Sequence, residues 1–133
     1  MKRKALSAFV VVASLTVSVA PLRAHHAFAA EFDEHKPITL TGTVKKIEWA
    51  NPHTRFYLDV SGSRGMLWEL TLGSPNALVR QGWNRSSLKQ GDVVTVNGYL
   101  AKDGARLASA RTITFADGHS VPLGSLGDGG PPK

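Results

Sequence analysis

The chain has 133 residues, 42% of them hydrophobic, with 16 Lys and Arg against 10 Asp and Glu, a formal charge of +6 and no Cys. That length suits one modest core and excludes a two-lobed enzyme, while the lack of Cys excludes disulfides, thiolate metal sites and cysteine nucleophiles. The positive total invites a nucleic-acid reading only if the basic residues stay in the working protein and share one surface.

The first element is an address. Lys2, Arg3 and Lys4 precede an apolar stretch over residues 5–20, followed by Pro21 and Ala24, which is the layout of a secretory signal peptide. The apolar run is shorter than the roughly 20 residues a spanning helix needs, so no transmembrane segment is expected in the mature protein. Two cleavage sites compete. Cutting after Ala29 uses the good Ala27-Phe28-Ala29 match and discards His25 and His26, whereas cutting after Ala24 sits at the expected distance behind Pro21 and makes His25 the new N-terminus. The second is favoured, giving a signal peptide over residues 1–24 and a periplasmic location. Loss of Lys2, Arg3, Lys4 and Arg23 leaves 12 of the 16 basic residues against 10 acids. The pairs Lys45 with Lys46 and Arg80 with Arg85 are too sparse, and too poor in interleaved aromatics, to bind nucleic acid.

Residues 25–36 read as a His-containing arm. From residue 37 the pattern has period two: Ile38, Leu40 and Val44 alternate with Thr39, Thr41, Thr43 and Lys45, and Gly42 inside the run marks a bulge or sharp coil. A second strand places Phe56, Leu58 and Val60 on one face against Arg55, Tyr57 and Asp59. The Ser61-Gly62-Ser63-Arg64-Gly65 turn joins it to a third, with Met66, Trp68, Leu70 and Leu72 on one face. A two-turn helix follows over Asn76 to Gln81, with Ser74 to cap it, Pro75 at its first position and Gly82 to stop it. Strands over Val93 to Leu100 and about Arg106 to Phe115 complete the body, joined by a Lys102-Asp103-Gly104 turn.

Five strands with one short helix between the third and fourth give an all-β fold, an OB-fold-like barrel over residues 37–118. Another small barrel or sandwich with the same strand count is the alternative. Residues 119–133 read as a flexible Gly/Pro-rich tail.

Histidine carries the candidate chemistry. A free amine and ring nitrogen on His25 form a chelate, and His26, His53 or His35 add nitrogen, a sulfur-free donor set that suits Cu(II) or another divalent transition metal. Trp49, Asn51 and His53 share the loop between the first two strands, beside the usual OB-fold groove, and with Trp83 they form a candidate ligand-binding set. Set against this, Asn51-Pro52 is ordinary turn chemistry and Trp49 can plug the barrel end. Met66 and Trp68 could join a soft metal site, but their alternation continues through Leu70 and Leu72 and points to core. Glu31, Asp33 and Glu34 form an acidic cluster that reads as exposed charge. No phosphate loop, nucleophile elbow or fixed carboxylate pair is present, so no enzymatic activity is expected.

Several stretches also resemble an uncharacterised family of small exported bacterial proteins that typically begin His-His-Ser-Phe-Ala-Ala-Glu. They are residues 25–31, 36–44 and 72–78, the Glu48-Trp49-Ala50-Asn51-Pro52-His53 block, and Gly82-Trp83. Ala27 stands where that family usually has Ser. The resemblance implies export and a mature protein that keeps the paired His, and it supplies no activity. The expectation is a periplasmic, non-enzymatic binding protein for a divalent metal, or else a metal-free OB-fold module for a peptide, glycan or periplasmic partner protein.

Overall fold

The computed structural model of the chain describes residues 28–60 and 66–123. The expected signal peptide over 1–24, His25, His26, the expected turn over 61–65 and residues 124–133 of the expected tail lie outside the described residues. What is described is mostly β-sheet: β1 (Phe32–Glu48), β2 (Arg55–Val60), β3 (Leu67–Thr71), α1 (Pro75–Arg80), β4 (Val93–Ala101), β5 (Leu107–Phe115) and β6 (Ser120–Pro122).

Six described strands stand where five were expected. The sheet order is β3-β2-β1-β4-β5-β6, with a further parallel pairing of Glu69, Thr71 and their neighbour Leu70 to residues 107–109 of β5. The other pairings are antiparallel. Hydrogen bonding therefore passes from β1 through β2, β3, β5 and β4 back to β1, with β6 added outside that circuit.

Residues 119–123, expected to open the tail, belong to the sheet instead. β6 pairs with Thr112, Ile113 and Thr114 of β5, and Leu123 just beyond it is 0% exposed. The Leu123 N–H donates to the Arg111 carbonyl at 2.9 Å, while the Gly73 N–H donates to the Leu123 carbonyl at 3.4 Å. The segment thus fills the space that β5 leaves once its pairing with β3 ends at Ser109.

The expected arm is also part of the sheet at its end. β1 begins at Phe32, which pairs with Ala101 and is 1% exposed. Ahead of it residues 28–31 form a helical turn. Phe28 stacks on Phe32 with centroids 5.7 Å apart and meets Tyr99 edge-on at 6.0 Å. The Arg111 guanidinium lies over the Phe28 ring at 4.6 Å and near Tyr99 at 5.5 Å, cation–π contacts that hold the turn against the sheet.

Two bulges decide which side chains face inward. In β1 the register with β2 shifts between Val44 and Lys46, so the extra residue Lys45 inverts the alternation. Leu40 and Val44 point inward before it, and Ile47 and Trp49 pack on the same core after it. In β5 the register with β4 shifts opposite Arg111, and inward positions change from Ala108 and Ala110 to Ile113 and Phe115. A single inserted residue has this effect because strand side chains repeat every two positions.

Gly42, read as a bulge, instead marks a close approach: a Cβ there would lie 2.2 Å from the Asp59 carbonyl oxygen. Gly98 does the same in β4, 2.0 Å from that of Ser109. Phe56, Leu58, Leu70 and Leu72 are core as expected, but Met66 is 44% exposed and Trp68 only partly buried. Met66 precedes the start of β3 at Leu67, so its alternation has no partner strand to point it inward.

Candidate functional site

The β1–β2 loop carries three of the expected site residues. Trp49 is half-buried against the core, Ala50, Asn51 and Pro52 are exposed, and the Asn51-Pro52 peptide is cis. Asn51 therefore projects from a turn, while His53 returns inward. The next residue fixes that return: the Thr54 N–H donates to the Gly73 carbonyl at 3.0 Å, and its own carbonyl accepts from Leu72 N–H at 2.9 Å.

His53 is half-buried, and its Nδ1 is buried without a hydrogen-bond partner. Burial first, and the positive charge of Arg55 second, lower its pKa below the ordinary histidine value, against opposing effects of Glu31 and a backbone hydrogen bond with Leu72. The ring is thus neutral at pH 7. In the neutral ring the unpartnered Nδ1 can carry the lone pair, the form in which histidine ligates metals. Glu31 belongs to the helical turn at the N-terminal end of the described chain. Its charge acts on His53, and the turn starts two residues after His26.

His35 is set differently. Its backbone N–H donates to Asp33 Oδ1 at 3.0 Å, and its Nε2 lies 3.6 Å from Glu34 Oε1 with both side chains largely in solvent. Among the described residues, no three His, Asp or Glu side chains gather closely enough to hold a metal ion. His35 and His53 are accordingly not brought into one described cluster, and any complete donor set draws on residues outside those described.

Trp83 is placed by the end of α1. Ser74 caps the helix, its Oγ accepting from Ala77 N–H at 3.2 Å, and Gly82 adopts φ +89° after the C-cap Gln81. The Gly82 N–H then donates to Val79 and the Trp83 N–H to Leu78, both at 3.0 Å, the paired bonds of a Schellman ending. That motif swings Trp83 back under the helix onto Leu78, so it is 6% exposed and belongs to the core.

Trp49 and Trp83 do meet. They line one apolar notch with Thr54, Leu78 and Arg85, but it encloses only about 10 Å³, room for about one water molecule. Asn51 and His53 do not line it. The four-residue set therefore divides into a half-buried and a buried indole on one notch, an exposed amide and a half-buried imidazole.

On the other side of Trp83 lies a roomier cleft of about 260 Å³, formed by Gln81, Gly82, Trp83, Ser87, Phe115, His119 and Val121. His119 stacks on Phe115 at 4.6 Å and 9°. Its backbone N–H donates to Asp117 Oδ1 at 3.0 Å, and its Nδ1 hydrogen-bonds the same oxygen. These bonds hold the Asp117 carboxyl below its ordinary pKa. The sequence reading starts the flexible tail at residue 119 and assigns His119 no role. The Asp117-Gly118 pair was the available signal, since Asp-Gly is a strong hairpin indicator.

The fold and these two histidine-bearing regions define a small, mostly β protein with a neutral imidazole at one loop and an aromatic cleft at another. The chain belongs to DUF6152, a family of unknown function, whose family model matches residues 11–110. No curated protein matches the chain. Among the described residues no helix is long and apolar enough to cross a membrane.

Proposed function

We propose that the protein is an exported, periplasmic, non-enzymatic binding protein that holds one divalent transition-metal ion, foremost Cu(II), through His25, His26 and His53, with His35 as a further nitrogen donor. The observation that carries this reading is the buried, unpartnered Nδ1 of His53. A buried nitrogen with no hydrogen bond is costly unless something else uses its lone pair. The charge of Glu31, five residues after His26, acts on that ring, which supports delivery of His25 and His26 toward it, given cleavage after Ala24. An OB-like barrel supports it as scaffold: five strands paired in a circuit, a helix between the third and fourth, and β6 as an addition.

The test is calorimetric titration of Cu(II) into protein processed after Ala24. One equivalent is expected to bind, with loss of uptake when His25 and His26 are both replaced by Ala. Absence of uptake, or uptake unchanged in that double variant, overturns the reading.

The shared notch of Trp49 and Trp83 favours a second reading, a metal-free module whose Trp49, Asn51, His53 and Trp83 surface meets a peptide, glycan or periplasmic protein. Trp fluorescence that answers such a partner but not the metal supports it over the first.

A further inference from the structure

The cleft beyond Trp83 has a chemistry of its own, apart from the metal reading. Its volume of about 260 Å³ lies just under the roughly 300 Å³ at which drug-sized sites begin, so it suits a single ring. No Lys, Arg, Asp or Glu lines it. A phosphate or a carboxylate would enter without a counter-charge, because the charged group bonded to a lining side chain is the Asp117 carboxylate on His119.

The walls are of two kinds. Phe115, Val121 and an edge of Trp83 offer apolar surface. Ser87 and His119 supply opposite hydrogen-bonding roles. Ser87 Oγ accepts from the Asn84 N–H at 2.9 Å, which leaves its hydroxyl proton to donate. The Asp117 carboxylate engages His119 at Nδ1, so Nε2 presents a lone pair. The same carboxylate and the stacked Phe115 fix the ring before any ligand arrives, which lowers the ordering cost of binding.

We propose that this cleft binds one ring of a neutral carbohydrate. A pyranose has C–H groups for the edges of Phe115 and Trp83 and hydroxyl groups that both accept from Ser87 and donate to His119. A purely apolar molecule would leave those two groups unpaired, and an anionic one would meet no compensating charge. Contact with one small ring implies dissociation constants on the order of millimolar.

The test is an amide and indole NMR titration of the processed protein, with chelator present, using glucose, galactose and N-acetylglucosamine, and glucuronate and glucosamine as charged comparators. Saturable shifts are expected at Trp83, Ser87 and His119 with at least one neutral sugar. The exposed substitution His119→Ala should weaken binding at least about fivefold without changing the spectrum elsewhere, and Ser87→Ala should weaken it as well. No saturable shift at tens of millimolar, or a stronger response to a charged comparator, overturns the proposal. So does a response of the cleft to a synthetic peptide of residues 124–133 in place of the sugars.

Discussion

His53, in the β1–β2 loop, and His119, on the cleft that Trp83 helps to line, spend their imidazoles in opposite ways. His53 is half-buried with Nδ1 unpartnered, beside Arg55 and Glu31; His119 is exposed, stacked on Phe115 and tied at Nδ1 to Asp117. Burial without a partner leaves a lone pair available to a metal, whereas pairing with a carboxylate converts it into a fixed orientation. The same residue type therefore serves two chemistries, and the backbone segments that carry them decide which.

The strongest way to separate the two regions is to remove the anchor of only one. Leu123→Ala takes a fully buried side chain from the segment that seats β6, and should cost about 2–5 kcal/mol in urea unfolding. Shifts at His119 should accompany it while those at His53 stay small. Equal disturbance of both would show that the regions are one cooperative unit.

Next in size is the metal experiment. Loss of an outer-shell partner alone costs roughly 10–100-fold in metal affinity, so His53→Ala should lower Cu(II) affinity by at least about tenfold. His119→Ala should leave it unchanged. Affinity should also fall as pH drops through the histidine range, because a protonated imidazole cannot ligate.

Helix capping supplies a control, since α1 positions Trp83, which lines both the notch and the cleft. Ser74→Ala should cost about 1 kcal/mol in thermal or urea unfolding. Neither metal uptake nor sugar response should change in proportion beyond that loss.

Smallest is the pH dependence of the metal-free fold. The folded pKa of His53 is lowered, so the unfolded chain binds its proton more readily, and the stability it contributes is present above about pH 6.5 and lost as pH falls through the folded value. Asp117 is also lowered, from a carboxylate value of 3.8, so its contribution is kept through that window and lost only below it. Thermal melts between pH 7 and 5 should therefore decline in the parent chain and flatten in His53→Gln, while Asp117→Asn acts only in the more acidic limb.

Legibility followed locality. Ser74, Pro75 and Gly82 specify α1 through bonds within a few residues, and the alternation of Phe56 and Leu58 specifies β2, so both were readable. The inversions at Lys45 and Arg111 were not, because a bulge exists only relative to the partner strand. β6 was hidden by its three-residue length and by Pro122 in a Gly/Pro-rich stretch. Trp83 looked like a groove aromatic because nothing in its neighbours announces that the turn after Gly82 drives it inward. The imidazole of His53 was singled out, but its lone pair became visible only with Leu72, Arg55 and Glu31 around it.

Arg111 has one more consequence. Its guanidinium carries Phe28 at the start of the described chain, and its carbonyl receives the Leu123 N–H at the end. Both ends of the folded body are thus moored to a single residue. A short peptide joining the regions before Phe28 and after Leu123 would span little distance, so new termini opened at the exposed Lys102-Asp103-Gly104 turn should yield a circular permutant with the same fold.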